Sequence, residues 1–139
     1  MNVPTELFAY LIAIGSVSFC AEFIVIHLEW LVHHHGTRVL GVPILVPFGW
    51  MLAVLGANGI ASLLVTTPVK TAMVAGAVAT ACDLWIEPLA ISRGYWEYPA
   101  TWISRPTFNR APWWNYFGWF GLVTGLTYAI EIQVLELLP

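Results

Sequence analysis

Asp83 and Glu87 stand four residues apart inside VKTAMVAGAVATACDLWIEPL, the stretch from Val69 to Leu89. It is long and apolar enough to cross a membrane. A spacing of four puts both carboxyls on one face of a helix. An ionised carboxylate in hydrocarbon is expensive, so acids at membrane depth are functional candidates by default. Pro88 follows directly. It has no N–H to give to the carbonyl of Leu84, which leaves a spare acceptor beside the acids and predicts a bend.

Two neighbouring carboxyls in a low-dielectric setting tend to share one proton, so one is an acid while the other stays charged. That pair suits protonation of an unactivated alkene. The acid gives its proton to a C=C bond, and the tertiary cation is held by the second carboxylate and by aromatic faces. Water then adds, which is hydration, or an internal double bond attacks, which is cyclisation. The plainer use of the same residues is to pair with Arg or backbone groups and lock helices together. The other polar residues at membrane depth are Glu22, Asn58, Asn115 and Glu131. There is no conventional nucleophile with its base, no Gly-rich phosphate loop and no Cys–His metal pattern. No cofactor and no metal is expected.

The elements that must position these groups follow from composition. Hydrophobic residues make up 59% of the chain and charged residues 9%, against about 25% charged in soluble domains. Mean hydropathy is +0.77. These values predict an integral membrane protein of one domain, residues 1–139, all-α, folded as a four-helix bundle. The spans are read at 6–32, 40–65, 69–89 and 112–138, with an aromatic and Pro-rich loop, Ile91–Ala111, between the third and fourth. The first reads as a retained helix, because no Lys or Arg precedes it and its apolar part exceeds that of a signal peptide. The loops after helices one and three hold Arg38, Arg93, Arg105 and Arg110, while the opposite side holds Lys70. The bias predicts both termini outside the cytoplasmic membrane. A net charge of −3 with no basic run speaks against nucleic acid as a partner.

Along the chain, Glu22 and Glu29 are seven apart, on one face if the helix continues. Glu29 reads as interfacial. His33, His34 and His35 point in different directions on a helix and make a poor metal site, so they read as a polar turn. Pro43 and Pro47 fall in the first turns of helix two and bend its start. Asn58 and Ser62 read as bonds to a neighbouring helix, and Ala75, Gly76, Ala77, Ala79 and Ala81 as a surface for close helix approach. Cys20 and Cys82 read as small packing residues. The density of Tyr95, Trp96, Tyr98, Pro99, Trp102, Pro106 and Phe108 predicts a lid or re-entrant cap. Helix four opens on Trp113, Trp114, Asn115, Tyr116 and Trp119. Its Gly121 and Gly125 suit packing on helix three or on another chain. Glu131 belongs to a polar cluster or a subunit contact, and Gln133 and Glu136 lie nearer the end.

Three motifs, HGTRVLGVPILVPFGW, DLWIEPLAISRGYWEY and PWWNYFGW, resemble the membrane-embedded carotenoid biosynthesis family. That family includes bisanhydrobacterioruberin hydratase and the γ-carotene 1′-hydroxylase of bacteria. The middle motif carries Asp83, Glu87-Pro88, Gly94 and Trp96. The last carries Asn115, Gly118 and Trp119, and the first Gly41, Pro43, Pro47 and Trp50. The resemblance runs from about Glu22 to Phe120. It implies hydration, without a cofactor, of a terminal isoprenoid double bond in a C40 or C50 carotenoid, in a prokaryotic cytoplasmic membrane. It implies Asp83 and Glu87 as the acid and its partner, Glu22 and Asn115 as groups that position water, and Trp96 and Trp119 as the lining of the polyene end; Trp50, Trp85 and Tyr95 are further candidates for binding the substrate.

Family members are longer, with more than four spans. The chain therefore reads as a minimal member, as half of a heteromeric enzyme, or as a relative without catalysis. The last would be a four-helix subunit of a larger membrane complex, or a homo-oligomer, holding a carotenoid, another isoprenoid lipid or a quinone among membrane lipids. Proton transport is a further reading. Lycopene cyclisation is disfavoured, because the Pro-x-Glu-Glu signature of the small-subunit cyclases is absent.

Overall fold

A computed structural model describes the chain over residues 3–136, with side-chain surroundings over residues 7–131. Most of it is helical: α1 Val3–His27, α2 Leu45–Leu64, α3 Pro68–Ser92 and α4 Trp113–Glu136. Among the described residues three helices are long and apolar enough to cross a membrane, over Leu7–His27, Leu45–Leu64 and Pro68–Ser92. α4 matches them in length, but its first turns are aromatic rather than aliphatic. Glu6, Gln133 and Glu136 lie outside the described side chains.

The helices pack in chain order, α1 on α2, α2 on α3 and α3 on α4. Between apolar helices in lipid, close van der Waals contact and interhelical hydrogen bonds do most of the holding. Small residues supply the first. Ala57, Ala61, Ala75 and Ala79 are almost inaccessible, in one core with Ile14, Trp50, Val54 and Val123. At Gly76 a Cβ would collide with Thr124 Oγ1 and lie 2.8 Å from the Phe120 carbonyl oxygen, so a side chain there must push α4 away from α3. Asn58 supplies the second. Its amide donates to the Tyr10 hydroxyl at 2.6 Å and its carbonyl accepts from Thr127 at 2.8 Å, tying α1, α2 and α4. Ser62 instead bonds within its own helix, to the carbonyl of Asn58 at 2.9 Å. Gly121 and Gly125 have open space where a Cβ would stand. It is Gly76, not this pair, that seats α3 against α4.

The loops correct the purely helical expectation. α1 stops at His27, and Glu29 turns the chain with φ 57, so Glu29 does not share a helical face with Glu22. Strand β1 (Val32–His33) follows, then β2 (Arg38–Val39) and β3 (Val42–Pro43). β2 and β3 form a hairpin whose two loop residues, Leu40 and Gly41, both have positive φ, the backbone of a tight primed turn. Pro43 therefore belongs to a strand. Pro47 sits in the first turn of α2, where a missing N–H has no helical partner to lose. A short apolar run such as VLGVPILV reads alike as buried strand or helix, which is why the start of α2 was misplaced. Beyond α3 come β4 (Trp96–Glu97), β5 (Thr107–Phe108) and β6 (Ala111–Pro112). β4 pairs antiparallel with β1, and β5 with β6.

α3 continues through Pro88 to Ser92. The carbonyl that Pro88 frees, Leu84 O, accepts from the Asn109 side chain at 2.6 Å. The helix then ends on Gly94 at φ 69. Tyr95 N–H bonds Ala90 O at 3.0 Å and Gly94 N–H bonds Ile91 O at 3.1 Å, a Schellman closure that needs the left-handed backbone glycine adopts freely. That turn sends β4 back across the end of α3, above the two acids.

Candidate functional site

The cavity of interest has a volume of about 480 Å³ and lies at the loop end of the helices, each of which contributes to its wall. The size falls in the ordinary range for small-molecule sites, roughly 300–1,000 Å³. α3 turns Ala79, Asp83 and Glu87 inward as a buried stripe, the consequence of their four-residue spacing. Asp83 and Glu87 are each 4% exposed.

One amide joins them. Asn115, in the first turn of α4, donates through Nδ2 to Asp83 Oδ2 at 2.8 Å and to Glu87 Oε1 at 3.1 Å. Glu87 receives two more bonds, from Tyr98 OH to Oε1 at 2.8 Å and from Trp96 Nε1 to Oε2 at 2.9 Å. Trp96 and Tyr98 are two apart on extended chain, so they face the same way. Three donors thus converge on Glu87 and one on Asp83. The four loop arginines are exposed, and the ion pairs among the described residues are His33–Glu22 and His34–Glu97; neither acid of α3 is clamped by a cation. Burial, and then the Glu87 carboxylate, push the Tyr98 phenol well above its ordinary value of 10.0, so it stays a donor.

Aromatic faces make the rest of the wall. Trp50 on α2 and Trp119 on α4 stack with centroids 3.9 Å apart and planes 8° from parallel. Trp114 lies between Trp30 and Tyr98, at 5.6 and 5.7 Å. Its Nε1–H is buried without an acceptor among the described residues.

A second polar pair faces the cavity from α1. Glu22 Oε2 meets His33 Nε2 at 3.1 Å, and both side chains are largely buried, 13% and 7% exposed. The histidine run lies on extended chain, not on a helix end. Successive residues there face opposite ways: His33 points in, and His34 points out to Glu97 at 3.6 Å. His35 sets its ring edge against Tyr95. Arg38 donates to the carbonyl oxygen of His33. His33 is directly opposite Trp96 in the β1–β4 ladder, with ring centroids 5.6 Å apart. Among the described residues no three His, Cys, Asp or Glu side chains converge as a metal site.

Asp83, Glu87, Glu22 and Asn115 therefore all reach one cavity, with Trp50, Trp96 and Trp119 in its wall. Trp85 and Tyr95 do not. Trp85 is two residues from both acids, on the opposite side of α3, and is 83% exposed. Tyr95 precedes Trp96 by one and so faces outward. Cys20 and Cys82 are free and exposed rather than core residues, although Cys82 borders the cavity. His33, Tyr98 and Trp114 also line the cavity, although the sequence placed them only in a polar turn, a lid and the start of helix four. The alternation Trp96-x-Tyr98 after a glycine turn was the signal for Tyr98. For His33 the signal needed the end of α1.

The arrangement sets two carboxyl groups against an aromatic-walled cavity whose lining contains none of the four loop arginines. No curated protein and no solved structure matches the chain. The family model described as carotenoid biosynthesis protein matches residues 6–136, a range that contains every residue of this cavity. The chain belongs to the carotenoid biosynthesis protein family.

Proposed function

We propose that the protein hydrates a terminal isoprenoid C=C of a carotenoid by acid catalysis. Asp83, with one donor, carries the proton to the less substituted alkene carbon. Glu87, with three donors, remains the anion and faces the tertiary cation, which the tryptophan and tyrosine faces also stabilise. Water adds to the cation and loses a proton, giving a tertiary alcohol. The observation that carries this reading is the pair of inward acids sharing one Asn115 amide beside an apolar cavity, with no arginine on either. Leu45 and Ile86, 72% and 52% exposed, border the same cavity. They mark an opening toward lipid between α2 and α3, through which a polyene end slides from the bilayer.

α4 completes a bundle of four membrane-crossing helices in this reading. The loop face with Arg38, Arg93, Arg105 and Arg110 lies in the cytoplasm, and both termini lie outside. Expression in a lycopene-producing host tests the activity. A product heavier by one water is expected. An isomer of unchanged mass bearing β-rings would mean cyclisation. No product, with other membrane subunits co-purifying, would mean a non-catalytic subunit that holds a carotenoid or quinone. Asp83→Asn and Glu87→Gln are each expected to abolish hydration while the protein still inserts. Full activity in either variant would remove its acid from the mechanism.

A further inference from the structure

We infer that Glu22 and His33 are the water-activating base of the site, a second pole separate from the acid pair of α3. The inference rests on the hydration reading. Asn115 has both bonds of its amide nitrogen committed to Asp83 and Glu87, so it serves the acid pole. The Glu22–His33 pair is the remaining carboxylate in the cavity wall and enters from a different helix. His33 engages Glu22 Oε2 through Nε2, which leaves Oε1 for a water. Arg38 fixes the His33 backbone, and the β1–β4 ladder sets His33 against Trp96, the same indole that donates to Glu87. One two-residue ladder thus holds both poles at a set separation.

The step balances. Asp83 gives one proton to carbon, the water oxygen bonds to the tertiary cation, and one proton of that water goes to Glu22 Oε1. The sum is alkene plus water to alcohol, and return of the proton from Glu22 to Asp83 restores the site. His33 is a positioning residue here, because it acts through Glu22.

Protonation and water capture separate when the reaction runs in D₂O on lycopene in proteoliposomes. A cation that forms but is not captured loses a proton, and the recovered alkene then carries deuterium at its terminal group. With His33→Gln and with Glu22→Gln, deuterated alkene is expected to persist, while the ratio of alcohol to deuterated alkene falls about 100-fold, a usual contribution of one general base. Asp83→Asn is expected to give neither product. A merely structural His33 would lower alcohol and deuterated alkene together, and that parallel loss, or an unchanged ratio in both variants, overturns the inference. If the unaltered protein forms no alcohol and exchanges no deuterium, the hydration reading itself falls and takes the dyad with it. Alcohol from the unaltered protein with unchanged ratios in the variants defeats the dyad alone.

Discussion

At the scale of single residues the site divides by how many donors each carboxyl receives. Glu87 has Asn115, Tyr98 and Trp96, and Asp83 has Asn115 alone. Among the described residues Asn115 alone donates to both, so it ties the two carboxyls of α3 to each other and to α4. Asn115→Leu keeps the volume and removes the bridge. Turnover is expected to fall roughly 10²–10³-fold, as for the loss of one preorganised donor, with the amount of protein in the membrane unchanged. Turnover within a factor of a few of the unaltered protein would show that α3 orients its acids unaided. Much of this site was legible in the sequence. The four-residue spacing put both acids on one face, and Pro88 announced the free carbonyl that Asn109 takes up. What was not legible depended on chain direction outside the helices. His33 was read on a helix end, where three adjacent histidines diverge over about 200° of arc at about 100° per residue. On extended chain they alternate, and one of them turns in to Glu22. Trp85 failed for the complementary reason: membership in an acidic motif says nothing of side, and two residues along a helix is the far side.

The elements are held by small residues and by a few polar ties, and these carry different weights. An interhelical hydrogen bond inside a membrane averages about 0.6 kcal/mol, because the separated helices find other partners. Overpacking a tight contact costs roughly 1–3 kcal/mol. Gly76→Val drives a side chain into Thr124 and into the Phe120 carbonyl, whereas Asn58→Leu removes two bonds and leaves the volume filled. Unfolding titrations in mixed micelles are therefore expected to rank Gly76→Val as the more damaging change, and the reverse order would mean that the polar tie, not the Gly76 crossing, holds the helices. The helix interiors were readable from apolar length and from the Ala and Gly run of α3. The end of α1, the start of α2 and the end of α3 were not. A Gly with positive φ terminates α3 at Gly94, and Gly41 helps turn the hairpin before α2, but one sequence signal announces both and does not say whether helix or strand comes next.

For the molecule as a whole, the cavity of about 480 Å³ has the size of an ordinary small-molecule site, so a long, rigid polyene with its end at the acids leaves part of its length in the bilayer. The opening proposed between α2 and α3, beside the exposed Leu45 and Ile86, decides whether that happens. Gly49 sits on its α2 side, borders the cavity and has open space where a Cβ would stand. Gly56, seven residues on and so on the same face of α2, is equally open but does not border the cavity. Gly49→Trp places an indole in the opening, while Gly56→Trp offers the same bulk to lipid alone. If the polyene comes in from the side, Gly49→Trp lowers carotenoid conversion at least tenfold, the factor given by about 1.4 kcal/mol on the barrier, and Gly56→Trp leaves it near the unaltered rate. The Gly49→Trp loss is expected to lessen for a short isoprenoid with the same terminal C=C, because a short chain fits within the cavity and need not thread the opening as a long one must. Equal effects of the two tryptophans, or a loss at Gly49 that is the same for long and short substrates, would place the route elsewhere, on the loop face beneath Trp96 and Tyr98. The cap over the acids would then have to open at each turnover, and the β1–β4 ladder that holds Trp96 beside His33 would be a moving part rather than a fixed one.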